Sequence, residues 1–277
     1  MGFQGNSGSV AAELKGRFMS SKIDWLTVIA IAAIAISVNV SFHEGVHALT
    51  CVAVGGELKE YSALYAECAA ATPWQEKVVA GSAPAANIIA GTCLWLILLG
   101  ARRLAPRAHL FLWLLMVMNW LYGAGYWIFS GVANVGDWAQ VIEGWEPHWL
   151  FRAGMVVFGA IVYVLFVRLA LRAFGRLAGG AEPLRMARRI GLVSYTAAVA
   201  VVLLAGLFSP HGPLGLPAVA GLAAAAGSLS PLAWAMRWFK ADAGRGPLKI
   251  SRSRVWIAAA AVVVFLYAFV LGRTLYF

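Results

Sequence analysis

The sequence predicts an all-α polytopic membrane protein of about seven transmembrane helices, with the N-terminus inside and the C-terminus outside. Three observations carry this. Apolar residues make up 61% of the 277-residue chain and charged residues 12%, against roughly 45–50% and ~25% in soluble domains. Several apolar runs exceed the roughly 18 residues that mark a span, and mean hydropathy is +0.77. The basic residues, finally, gather on one side of those runs. A soluble enzyme, a disordered chain, a disulfide scaffold and a coiled coil are excluded by the composition.

Residues 1–22 are polar and rich in Gly and Ser, with no short apolar core before a small-residue cleavage site, and read as a cytoplasmic tail. Apolar runs then fall at 24–54, 75–100, 108–133, 149–171, 190–209, 213–236 and 255–276. Between them stand a charged Gly-Gly segment (55–59), an Arg-Pro-Arg-rich turn (102–107) and an acidic Gly/Pro stretch (136–147). A basic loop (172–189), a Ser-Pro-His-Gly-Pro turn (209–213) and a second basic loop (237–254) complete the separators. No period of 20–50 residues recurs, which excludes a repeat array. The organisation reads as the tail 1–22, three motif-bearing spans over 23–140, and four additional transmembrane helices over 141–277.

Net charge +10 raises the question of nucleic acid. Position answers it. Eighteen of the 22 Lys and Arg lie in the tail, in the three loops on its side or, for Arg168, at the end of the run leading into one of them, leaving only Lys59, Lys77, Arg152 and Arg273 opposite. That is the distribution of the positive-inside rule, so the partner implied is the lipid bilayer and no nucleic acid. A compact chain without targeting signals points to a multi-pass protein of a bacterial plasma (inner) membrane.

Near the end of the first span stands His43-Glu44-Gly45-Val46-His47, an HExxH. Positions i and i+4 share one helix face, so both imidazoles can reach one metal ion. Zinc lowers the pKa of a bound water to about 7, and an adjacent carboxylate, here Glu44, takes its proton. Ionisable groups at depth cost at least ~2.5–3.5 kcal/mol each and default to function. Catalytic zinc wants three protein ligands. At ~1.5 Å per residue, His43 lies about 28 Å outward from Asp24, which excludes His109 at the inner end of the third span. Asp137 is favoured by its place beside that span and by Gly136, which lets backbone approach closely. Glu67, Glu143, Glu146, His148 and His211 compete. Cys51, four residues beyond His47, would stretch three ligands over some 12 Å of one helix and reads as a packing residue. The three cysteines (Cys51, Cys68, Cys93) are odd in number and lack CxxC spacing, which supports neither a disulfide framework nor a zinc knuckle.

With His43-Glu44-Gly45-Val46-His47-Ala48-Leu49 before Gly55-Gly56, Ala80 to Gly91 with Pro84 and Asn87, and Gly136-Asp137-Trp138, the chain resembles the site-2 protease family of intramembrane zinc metalloproteases. The likeness covers about residues 24–140. It implies a site-2-protease-like core in the first three spans, zinc held by His43, His47 and Asp137, Glu44 as base, and Asn87 positioning an extended substrate. Read on its own, Asn87 is an interhelical hydrogen-bonding residue. The family pattern around the third ligand is Asn-Pro-x-x-Asp-Gly or Leu-Asp-Gly, where this chain has Gly-Asp-Trp, and no PDZ-like insertion is present. Segment 57–77, with Tyr61, Tyr65 and Trp74, reads either as an aromatic belt or, by the resemblance, as a strand edge to which a substrate adds. Trp120, Tyr122, Tyr126, Trp127 and Trp138 read as belt and packing.

The function expected is an intramembrane zinc metalloendopeptidase that hydrolyses membrane-embedded or membrane-proximal proteins or peptides. Because the basic residues place His43 toward the outside, release of a tethered cytosolic factor is not expected. The alternative, from another class, is a non-proteolytic zinc-binding or zinc-free accessory or assembly subunit of a larger membrane complex, for which small-residue runs such as 221–227 would suit close helix packing. A transporter, with helices interrupted at Pro84 and Pro231, is third.

Overall fold

A computed structural model describes residues 23–101, 104–179, 183–242, 246 and 248–277; the expected tail, 1–22, lies outside them. Among the described residues seven helices are long and apolar enough to cross a membrane. The chain is therefore a multi-pass integral membrane protein.

Helix α1 (Trp25–Ala53) starts on Asp24, whose carboxylate accepts from the Thr27 N–H at 2.9 Å and from the Thr27 hydroxyl at 2.7 Å. Such a cap satisfies donors the helix itself cannot. α1 stops at Gly55, at φ +81°, where the Gly55 and Gly56 N–H groups close back on Val52 and Cys51 carbonyls. It is the central post of the fold: two thirds of its apolar window is buried, and helices from several later parts of the chain pack on it.

The chain after α1 departs from the all-α expectation. Strands β1 (Glu57–Tyr61) and β2 (Ala66–Ala69) form an antiparallel hairpin, and β3 (Leu275–Tyr276) adds to the far side of β1. The order β2-β1-β3 leaves β2 with an open edge. A second correction lies beside it. Cys51 and Cys68 form a disulfide, Cα–Cα 5.8 Å, that ties β2 to the last turn of α1. The hairpin folds the chain back so that partners 17 residues apart meet, which cysteine spacing alone does not encode. Gly56 is needed there, since a Cβ would stand 2.8 Å from the Cys68 sulfur. Loss of a bridge closing a loop of that size removes about 3 kcal/mol. The Cys51→Ser/Cys68→Ser pair is expected to lower the thermal midpoint accordingly, measured against the oxidised protein. Cys93 is the free cysteine among the described residues.

Helices α2 (Pro73–Gly100) and α3 (Pro106–Ala133) form the next two spans. They cross closely at Gly123 of α3, where a Cβ would lie 2.7 Å from the Pro84 carbonyl of α2. Short helix α4 (Asp137–Val141) comes next, then α5 (His148–Gly175), packed along α3. Helix α6 (Pro183–Leu207) begins seven residues before the expected 190, taking Arg185, Arg188 and Arg189 into its first turns. Arg is a good helix former, so the helix outruns the apolar stretch that marks the span. The sixth span is broken into α7 (Leu216–Ser228), α8 (Pro231–Trp234) and a 3₁₀ turn (Ala235–Trp238). Pro231 has no N–H to continue the ladder. Neighbours supply what it cannot: Tyr163 donates to the Ser228 carbonyl and Tyr195 to that of Ala226, the latter at 3.0 Å. Helix α9 (Arg254–Phe265) continues through a π turn (Leu266–Val270) and a 3₁₀ turn (Leu271–Arg273) into β3.

Candidate metal centre

Helical spacing puts His43 and His47 on one face of α1, with ring centroids 4.9 Å apart. Each ring is held through Nδ1. His43 Nδ1 stands 2.6 Å from Asn87 Oδ1 on α2, and His47 Nδ1 2.8 Å from the Val79 carbonyl. A carbonyl can only accept, so His47 carries its proton on Nδ1. The Asn87 amide is turned the same way by its other end, since Nδ2 donates to Asn119 Oδ1 on α3 at 2.9 Å. Asn119 Nδ2 is fixed in turn on the Leu115 carbonyl at 2.8 Å. In the neutral rings both Nε2 atoms therefore present lone pairs.

Those lone pairs meet a carboxylate. Asp137 Oδ2 lies 3.1 Å from His43 Nε2 and 3.5 Å from His47 Nε2. The three ligand atoms fall within 4.8 Å of one another, and Oδ2 is buried without a hydrogen bond. Three electron-rich atoms aimed at one point repel one another unless a proton or a metal ion lies between them. Two imidazoles and a carboxylate form a donor set that suits zinc and leaves a fourth position open, so the residues present fit a metal ion.

Asp137 comes from outside the spans, so its placement depends on how α4 docks. The α3 C-terminus turns at Asn134, in the left-handed region at φ 57°, and Gly136 at φ +83° redirects the chain into α4. Trp138 stacks on Trp127 of α3 at 5.3 Å. Lys77 of α2 closes the other end, its ammonium donating to the Val141 carbonyl at 2.9 Å and to that of Glu143.

Glu44 does not join this triad. Its side chain is buried, 7% exposed, and it has no hydrogen-bond partner among the described residues. It lines a cleft of about 680 Å³ together with His43, His47 and Asp137. The hairpin contributes Leu64 to Cys68, α2 contributes Glu76, Val79 and Ala80, and α7 contributes Pro217, Ala220 and Gly221. The sixth span, which carries no motif, thus forms a wall of the site.

The remaining candidates separate clearly. Glu67, Glu143 and His148 line the cleft without joining the three ligand atoms. Glu146 accepts from the His148 N–H, His148 pairs with Asn134 at 2.9 Å, and His211 pairs with Glu60 at 3.0 Å. His109 sits in the first turn of α3, at the end away from Asp137. Asn87, which the family resemblance assigns to substrate, has no exposed surface and holds His43. Tyr126, expected as belt or packing, stacks on the His43 ring at 5.2 Å and lines the cleft. Its only sequence signal is the i, i+4 pair it makes with Tyr122 on α3.

Outer hydrogen bonds to ligating histidines are worth about 10–100-fold in metal affinity. Asn87→Ala is accordingly expected to weaken zinc binding by that factor while keeping all three ligands, as read by competition against a chromogenic chelator.

Comparison with family models, with curated proteins and with solved structures gives no match.

Proposed function

We propose that this protein is an intramembrane zinc endopeptidase of the site-2 protease type, acting on membrane-embedded or membrane-proximal peptide segments. The observation that carries the reading is the convergence of His43 Nε2, His47 Nε2 and Asp137 Oδ2 beside an unpartnered, buried Glu44. Zinc, when bound there, supplies Lewis acidity that makes water nucleophilic near neutral pH. His43, His47 and Asp137 would hold it, while Asn87 and the Val79 carbonyl keep both rings in the ligating tautomer. Glu44 takes the proton of the attacking water and passes it to the departing amide nitrogen.

A peptide bond inside a helix hides its carbonyl in an i→i−4 hydrogen bond, so the substrate must be extended to be cut. The open edge of β2, whose residues Ala66 to Cys68 line the cleft, offers backbone partners to such a segment. The distribution of basic residues supports an orientation with this end of the molecule on the outer side of the membrane. The Cys51–Cys68 bridge at the same end suits an oxidising compartment.

Metal analysis of the purified full chain tests the reading. Stoichiometric zinc is expected, with peptide cleavage lost on chelation and regained on adding zinc back. A protein purified without zinc that takes up none on titration overturns it.

A further inference from the structure

We infer that the cleft selects peptide segments carrying Lys or Arg beside the bond to be cut; this rests on the endopeptidase reading and specifies its substrate class. Besides the three ligating residues, the cleft is lined by Glu67 of β2, Glu76 in the first turn of α2 and Glu143 just past α4. They approach from three separate elements and all three are exposed. None of the three carboxylates is in an ion pair among the described residues, whereas their neighbours Glu57 and Glu60 are taken up by Lys59 and His211. No Lys or Arg among the described residues lines the cleft. Lys77, next to Glu76 in the sequence, spends its ammonium on the Val141 and Glu143 carbonyls.

Deeper in, the Glu44 carboxylate is more than nine-tenths buried and unpartnered at the cleft wall. It marks the floor as a place where something else must supply hydrogen bonds. Glu44, Glu67, Glu76, Asp137 and Glu143 together outweigh the charge of one divalent cation held by neutral imidazoles. A cleft lined by charges of one sign focuses such a field toward its mouth. It attracts cationic segments and repels acidic ones. In the orientation favoured by the basic loops the selection is stringent, because spans seldom carry Lys or Arg on the outer side. Ordinary membrane proteins are thereby passed over.

The test uses the full-length Glu44→Gln protein, loaded with zinc in non-ionic detergent so that bound peptide stays intact. Three fluorescent extended peptides share one apolar centre and differ only in flanking Lys, Gln or Glu pairs. The Lys peptide is expected to bind about tenfold more tightly than the Gln peptide, the Glu peptide most weakly, and the spread to shrink as salt is raised. Adding Glu67→Gln, Glu76→Gln and Glu143→Gln together is expected to bring the Lys and Gln peptides to equal affinity with zinc content unchanged. Equal binding of the three peptides, no binding of the Lys peptide, or a preference that survives the triple replacement overturns the inference. Zinc content and cleavage by the Glu44 protein are read separately. An active, zinc-loaded protein without charge preference sinks this inference alone. A charge preference without zinc or cleavage sinks the endopeptidase reading and leaves the cation-selective cleft standing.

Discussion

Glu44→Gln is expected to retain stoichiometric zinc and to lose cleavage by about 10³-fold, within the range of general acid–base catalysis. The amide keeps the size of the carboxylate and removes only its capacity to take a proton. Because Glu44 is not among the three ligating residues, the metal has no reason to leave. Because it is buried without a partner, the neutral side chain removes a desolvated charge, and the thermal midpoint is expected to stay close to that of the parent. Zinc by mass spectrometry, thermal midpoint and turnover on one preparation separate the three effects. Turnover retained within tenfold places the base elsewhere in the cleft.

Asp137→Ala has the opposite signature. It leaves Glu44 in place and reduces the donor set from three atoms to two, both on one helix face. Zinc affinity is expected to fall by more than the about 10–100-fold that loss of an outer hydrogen bond brings, so the variant should be purified with little zinc and be inactive for that reason. Asn87→Ala provides the lower reference. Glu146→Ala, which alters an exposed acid that caps the His148 N–H, should keep its zinc. If Asp137→Ala binds zinc like the parent, the third ligand is another residue.

The two variants also mark what the sequence could and could not convey. Seven spans are legible because a bilayer imposes a long apolar run wherever a helix crosses it. Their ends are less so: α6 starts at Pro183 because arginines continue a helix well, and the sixth span breaks at Pro231 although its composition stays apolar. His43 and His47 are legible as a pair because i, i+4 is a local relation. Asp137 is visible only as one of several acids beyond the spans, since α4 depends on Trp138 finding Trp127 and on Lys77 reaching the Val141 carbonyl. Asn87 stands out in an apolar helix, yet its partner is set by the crossing of α2 on α1. The hairpin and its Cys51–Cys68 bridge depend on backbone pairing and on a fold-back that neither alternation nor cysteine count reports. The wall that α7 builds is purely a matter of tertiary packing.

The delivery of Asp137 by α4, after the third span, has a consequence for biogenesis. At roughly 5–20 residues per second, the ribosome releases both histidines and Glu44 several seconds before the aspartate. During that interval α1 must hold its ionisable groups in the bilayer with α2, and then the emerging α3, as companions, and Asn87 on α2 is the first partner His43 meets. A nascent chain halted there carries the whole HExxH motif and no functional centre. Completion of the three-residue cluster therefore coincides with completion of the three-helix core, so on the endopeptidase reading activity is withheld until the polypeptide that confines it has been built.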